Sequence, residues 1–169
     1  MLAISQVGTP SEIRDVQEML REYTAWAFTL TAESDRAPTF QGLEEELATL
    51  PGIYAPPVGR LLLAVDDGRP AGCIALKGHD AETAELKRLY VRPAFRGREL
   101  GRRLVETLVD EARVSGYRRV ILDSHISMTK AHAIYLAAGF RNVGPPPDFP
   151  AMLLPIVVFM ELELAPARG

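Results

Sequence analysis

Glu85 to Arg103, ELKRLYVRPAFRGRELGRR, is the stretch whose reading decides the fold. Leu86 to Val91 reads as a strand, Pro93 stops it, Gly97 turns the chain, and an amphipathic helix opens near Glu99. The first backbone N–H groups of a helix lack carbonyl partners, and its dipole adds partial positive charge. A strand, a glycine turn and a helix start therefore make a cradle for an anion, phosphate above all. Arg92, Arg96, Arg98, Arg102 and Arg103 crowd this segment in a chain of formal net charge -3. The local sign is opposite to the global one.

Before this stretch, Leu2 to Val7 reads as a strand. Ser11 caps a helix in which Ile13, Val16, Met19, Leu20 and Tyr23 recur at helical spacing, reaching roughly to Phe28. Thr31 to Thr39 is a loop, and a second helix through Leu43, Leu47 and Leu50 is stopped by Pro51 and Gly52. Arg60 to Val65 and Ala71 to Leu76 form an antiparallel pair around an Asp66-Asp67-Gly68 turn. After the cradle, Leu100, Leu104, Val105, Leu108, Val109 and Ala112 make one helical face, closed by Gly116. Val120 to Leu122 reads as a strand buried on both faces beside a parallel neighbour, which makes a right-handed β-α-β unit. Ser127 caps a shorter helix carrying Ala131, Ile134, Tyr135 and Ala138, and Gly139 ends it. Arg141 to Val143 is a short strand, Pro145 to Pro150 a stiff loop, and Ile156 to Leu164 a terminal strand. That apolar strand is also an edge on which a homodimer could pair.

A chain of 169 residues, 47% hydrophobic and 24% charged, is long enough for one core and short for two, so a single domain over residues 1–169 is expected. Negative net charge argues against a nucleic-acid coat, which needs a broad basic surface. The single cysteine, Cys73, rules out an intrachain disulfide and reads as a small buried hydrophobe. MLAISQV has no basic leader, and the apolar run Met152 to Met160 is broken by Pro155 and far short of the about 20 residues a bilayer needs. A cytoplasmic protein without membrane or nucleic-acid partners is expected. His79, His125 and His132 have no metal-ligand spacing among themselves or with Cys73, so no metal is expected.

The order β-α-α-β-β-β-α-β-α-β-β, with V-x-P-x-x-R-G-x-x-L-G from Val91 to Gly101 and A-x-x-x-Y-x-x-x-G-F from Ala131 to Phe140, closely resembles the GNAT superfamily of N-acetyltransferases. The resemblance implies an α/β fold with a central mixed β-sheet flanked by helices, and acetyl-coenzyme A as donor. It implies that Leu89, Tyr90 and Val91 offer backbone to the pantetheine arm, while Arg96, Gly97, Arg98, Glu99, Leu100, Gly101 and Arg102 grip the pyrophosphate. Two positions depart from the family pattern. Glu99 stands where a glycine is usual, and would turn outward from the first helical turn toward Arg102 or Arg103. Met128 stands where many members carry an asparagine, so no side-chain hydrogen bond is carried over there.

Such chemistry moves an acyl group from a thioester to an amine, supplied by a small molecule or a peptide. An alkyl ammonium has a pKa near 10 and must lose a proton, while the leaving thiolate, near 8.5, is helped by a donor. Glu85, directly or through water, is the candidate base and Tyr135 the candidate acid, with the backbone N–H of Val91 or its neighbour polarising the carbonyl. Each has a plainer reading: Glu85 as an ion-pair partner of Lys87 or Arg88, Tyr135 as core, Gly97 and Gly101 as loop and helix-packing glycines. Trp26, Phe28, Asp148 and Phe149 are candidate walls for the acceptor. The alternatives are a domain of the same fold that holds coenzyme A or a protein partner without turnover, and a transferase of longer acyl groups or one acting on a protein N-terminus.

Overall fold

A computed structural model describes residues 1–30 and 42–166. The chain runs β1 (Leu2–Gln6), α1 (Pro10–Leu30), α2 (Leu43–Ala48), β2 (Arg60–Asp66), β3 (Arg69–Gly78), β4 (Thr83–Val91), α3 (Leu100–Val114), β5 (Arg119–His125), α4 (Thr129–Ala137), β6 (Arg141–Val143) and β7 (Val157–Glu163). Short 3-10 turns lie at Gly52–Tyr54, Pro93–Phe95 and Ala151–Ile156. The order of helices and strands is the one expected; the loop assigned to Thr31–Thr39 lies outside the described residues.

Seven strands form one mixed sheet in the order β1-β2-β3-β4-β5-β7-β6. Asp67 and Gly68 both have positive φ, 47° and 76°, and join β2 to β3 as a two-residue hairpin loop. β4 and β5 are the parallel pair, linked through α3. On one face α3 buries Leu100, Leu104, Val105, Leu108 and Ala112 against Leu62, Ile74, Leu86 and Leu122. On the other, Val16, Met19 and Leu20 of α1 and Leu47 of α2 cover Leu61, Leu63, Cys73 and Tyr90. Burial pushes the Cys73 thiol up to about 12, as suits a core side chain.

Four local expectations are corrected. Thr9, not Ser11, caps α1: its Oγ1 accepts the Glu12 N–H at 3.2 Å while Glu12 Oε2 accepts from Gly8 and Thr9, a capping box with Pro10 at the first helical position. Ser127 does not cap α4, whose N-cap is Met128; its Oγ sits 2.7 Å from His125 Nδ1 instead. β5 is buried on one face only, with Val120 and Leu122 inside and Asp123 exposed, because among the described residues no helix covers its far side as α3 covers the near one. The terminal strand β7 lies between β5 and β6, which pairs with its Phe159 to Glu161, so it is not the edge strand expected.

Candidate active site

β4 and β5 run side by side for three residue pairs and then part. The last pair is Glu85 with Ile121. Beyond it β4 continues to Val91 with its other edge on β3, and β5 continues to His125 with its other edge on β7. The facing edges are left open at the carboxyl ends of two parallel strands, where open α/β sheets bind ligands.

A bulge follows the parting. Cys73 pairs with Tyr90 but Ala75 pairs with Lys87, so Arg88 and Leu89 together oppose Ile74. Arg88 takes φ 62°, a left-handed conformation that a non-glycine residue adopts only when its surroundings hold it there. They do: Arg88 Nε and Nη2 reach Glu46 of α2 at 2.8 and 3.2 Å, and the Tyr54 hydroxyl donates to the same carboxylate at 2.8 Å. Past the bulge the Arg92 N–H donates to Ala71 O, at 2.9 Å. Alternation along the strand then turns the N–H groups of Leu89 and Val91 the other way, into the cleft.

The turn from Arg96 to Gly101 brings α3 to the mouth of that cleft. Gly97 has φ 80° and Glu99 φ 58°, so two left-handed residues reverse the chain before the helix. The first helical bond runs from Arg103 N–H to Glu99 O, which leaves the Leu100, Gly101 and Arg102 amides without an intrahelical acceptor. Glu99 is therefore the N-cap and not part of the first turn, and a glycine there would relieve backbone strain. Its carboxylate points out to Arg102 Nη2 at 2.9 Å. Arg102 also holds Glu106, Arg98 pairs with Asp66 at 3.4 Å, and Arg92 binds Glu22 of α1 at 2.8 Å. Arg96 donates to Val91 O at 3.0 Å and stacks over the Trp26 and Tyr90 rings. The cradle is thus backbone, with Arg92, Arg96, Arg98 and Arg102 tied into the surrounding fold. Gly101 packs α3 on α4, where an added Cβ would meet Ile134 Cδ1 at 2.8 Å.

Glu85 sits half-buried at the point where the strands part and makes no hydrogen bond or ion pair among the described residues; Arg88 has gone to Glu46 instead. Tyr135 of α4 is buried, its ring 5.8 Å from Phe140. Burial, and then the nearby Tyr23, push its pKa above the ordinary tyrosine value, so it keeps its proton and can donate a hydrogen bond. Tyr135 shares a cluster with Ala84 and Leu86. Glu85, alternating with them, belongs to the opposite face, and the parted strands open a passage between the two.

On the Glu85 side lies Asp123, cross-strand neighbour of Phe159, whose ring meets Phe149 edge-on at 4.7 Å. Of the expected walls, Phe149 comes to this face, Asp148 is exposed, and Trp26 lies under Arg96 beside Tyr23. Met128 is buried and brings no polar group. Sequence reading put Tyr23 on the apolar stripe of α1 and offered Arg88 to Glu85; it did not single out Asp123 or the pairing of Arg88 with Glu46 and Tyr54, whose partners lie far apart in the chain. An open strand edge of backbone donors beside an N–H cradle suits a long arm of amides ending in a pyrophosphate.

The sequence profile described as the Acetyltransferase (GNAT) family matches residues 16–140. An uncharacterized N-acetyltransferase of Schizosaccharomyces pombe is 33% identical over 166 residues, spanning 97% of this chain and 96% of the relative. Among solved structures, an acetyltransferase from Streptococcus agalactiae superposes with a TM-score of 0.76 at 22% identity, over 96% of this chain and 98% of the other. A PaiA N-acetyltransferase from Thermoplasma acidophilum, solved in complex with coenzyme A, gives 0.77 at 19% identity, over 97% and 99%.

Proposed function

The chain belongs to the acetyltransferase (GNAT) family, and from that premise we propose that it moves an acetyl group from acetyl-coenzyme A to an amine by direct attack within a ternary complex. One observation carries the reading: the parting of β4 from β5 after Glu85, which frees the Leu89 and Val91 edge beside the N-terminus of α3. The pantetheine amides lie along that edge, and the pyrophosphate lies on the free amides of the Arg96 to Gly101 turn. The thioester then reaches the passage between the sheet faces.

The acceptor enters from the face of Glu85, Asp123 and Phe149. Glu85 takes the ammonium proton, directly or through water, and the amine nitrogen attacks the thioester carbonyl. The cleft N–H of Val91 or Leu89 that no pantetheine carbonyl occupies steadies the oxygen as it gains charge. The carbon–sulfur bond breaks, the Tyr135 hydroxyl donates a hydrogen bond to the departing thiolate, and the proton that the new amide nitrogen sheds passes to that sulfur, which leaves as free thiol. An ordinary tyrosine pKa already lies above that of a thiol and burial raises it further, so Tyr135 stabilises the sulfur without having to surrender its proton.

Release of free thiol from acetyl-coenzyme A, followed over a panel of amino acids, polyamines and short peptides, tests the proposal. Turnover with at least one amine supports it. Binding of coenzyme A with no thiol release across the panel, and none with longer acyl donors, would favour the non-catalytic reading.

A further inference from the structure

Ser124 and His132 form a polar pair in the wall of the cleft that the reaction above leaves unused. Ser124 lies on β5 beyond Ile121, so its backbone belongs to the edge from which β4 has departed. It alternates with Val120 and Leu122 and therefore faces the helices, where its Oγ meets His132 Nε2 of α4 at 3.0 Å. Both residues are partly exposed. Three residues after His132, on the same side of the helix, comes Tyr135.

The direction of that hydrogen bond follows from the ring. The His125 backbone beside His132 acts to favour the protonated ring, as a carbonyl oxygen does when it faces a ring N–H. With Nε2 on Ser124, that N–H belongs to Nδ1. Desolvation meanwhile holds the His132 pKa below the ordinary histidine value, so the ring is neutral at pH 7. A neutral ring protonated at Nδ1 can only accept at Nε2. Ser124 spends its single proton there, and what its oxygen has left to offer the cleft is a pair of acceptor sites.

We propose that Ser124 is a donor-binding residue whose oxygen accepts an amide N–H of the coenzyme A arm, and that His132 is its positioning residue, holding the hydroxyl in the accepting orientation. This rests on the function proposed above. It matches the two walls of the cleft to the two halves of an amide: β4 presents N–H donors at Leu89 and Val91, which take carbonyls, and Ser124 presents an acceptor across from them. No covalent step is involved.

The test uses the full chain, with coenzyme A binding by calorimetry and steady-state kinetics on Ser124→Ala, Ser124→Thr and His132→Ala. Ser124→Ala is expected to weaken coenzyme A binding and raise the acetyl-coenzyme A KM about five- to tenfold, the worth of one hydrogen bond, with kcat and the amine KM nearly unchanged. Ser124→Thr should restore binding, and His132→Ala should weaken it in part. Should Ser124→Ala fold and bind coenzyme A as the wild type does, the pair is structural and the inference fails. An acetyl adduct on Ser124 by mass spectrometry would also overturn it, since the oxygen would then be a nucleophile. Failure of the wild type to bind coenzyme A would instead bring down the underlying functional reading, and this inference with it.

Discussion

Arg88 and Glu46 meet at 2.8 Å with each side chain about seven-eighths buried, and this ion pair fastens helix α2 to the bulge that follows the parting of β4 from β5. Arg88 is the residue with φ 62°. The pair therefore joins the helix packed on the Glu85 face of the sheet to the strained backbone beside the open edge of β4.

Removing the carboxylate leaves the Arg88 guanidinium charged, poorly solvated and on a left-handed backbone. Glu46→Ala is expected to lose about 3 kcal/mol of unfolding free energy, in the range found when one partner of a buried pair is deleted. Urea denaturation measures it. A loss below about 1 kcal/mol would mean that water reaches the site and that the pair behaves as a surface contact.

At Glu99 the expected effect has the opposite sign. A glycine in the body of a helix lowers stability by about 1 kcal/mol, but Glu99 is an N-cap with φ 58°. Glu99→Gly should leave stability unchanged or raise it by up to about 1 kcal/mol, because relief of the left-handed strain outweighs the lost surface pair with Arg102. The acetyl-coenzyme A KM should change little, since the carboxylate already points away from the cradle. Denaturation midpoints and donor kinetics on the same variant check both halves.

Tyr135→Phe keeps the ring against Phe140 and removes the hydroxyl alone. We expect kcat to fall about 100-fold with the donor KM nearly unchanged, the loss of a group that acts on the leaving sulfur. Since burial raises the Tyr135 pKa, wild-type activity should show no downturn from its ionisation up to about pH 10. Full activity in the variant would make Tyr135 a core residue.

Glu85→Gln should lower kcat/KM about 100-fold near pH 7 and recover as pH rises toward the pKa of the amine, where free amine no longer needs a base. A deficit that persists unchanged to pH 10 would give Glu85 another role.

Much of the fold is legible in local pattern. The helical face Leu100 to Ala112, the Asp67-Gly68 hairpin and the strand-turn-helix at Val91 to Gly101 are each dictated by residues close in sequence. What was not legible depends on partners far along the chain. The position of β7 between β5 and β6 is invisible in its own apolar run, and the single buried face of β5 reflects which helices cover it. The bulge at Arg88 is held by Glu46, 42 residues away, and nothing in LKRLY announces it. Ser124 and His132 meet only because α4 folds back on β5. Thr9 is different: T-P-S-E is a readable capping box, and Ser11 drew attention only because it too is a capping residue.

The central claim is that the donor lies on the open edge of β4 and the N-terminal turn of α3. Hydrogen–deuterium exchange with and without saturating acetyl-coenzyme A, saturation being fixed by a thermal shift, tests it most directly. The account predicts slowed exchange at the amides of Leu89 and Val91 and in the segment Gly97 to Arg102, with the β2–β3 hairpin unaffected. Ligand-bound protein in which those amides exchange at the ligand-free rate would contradict it.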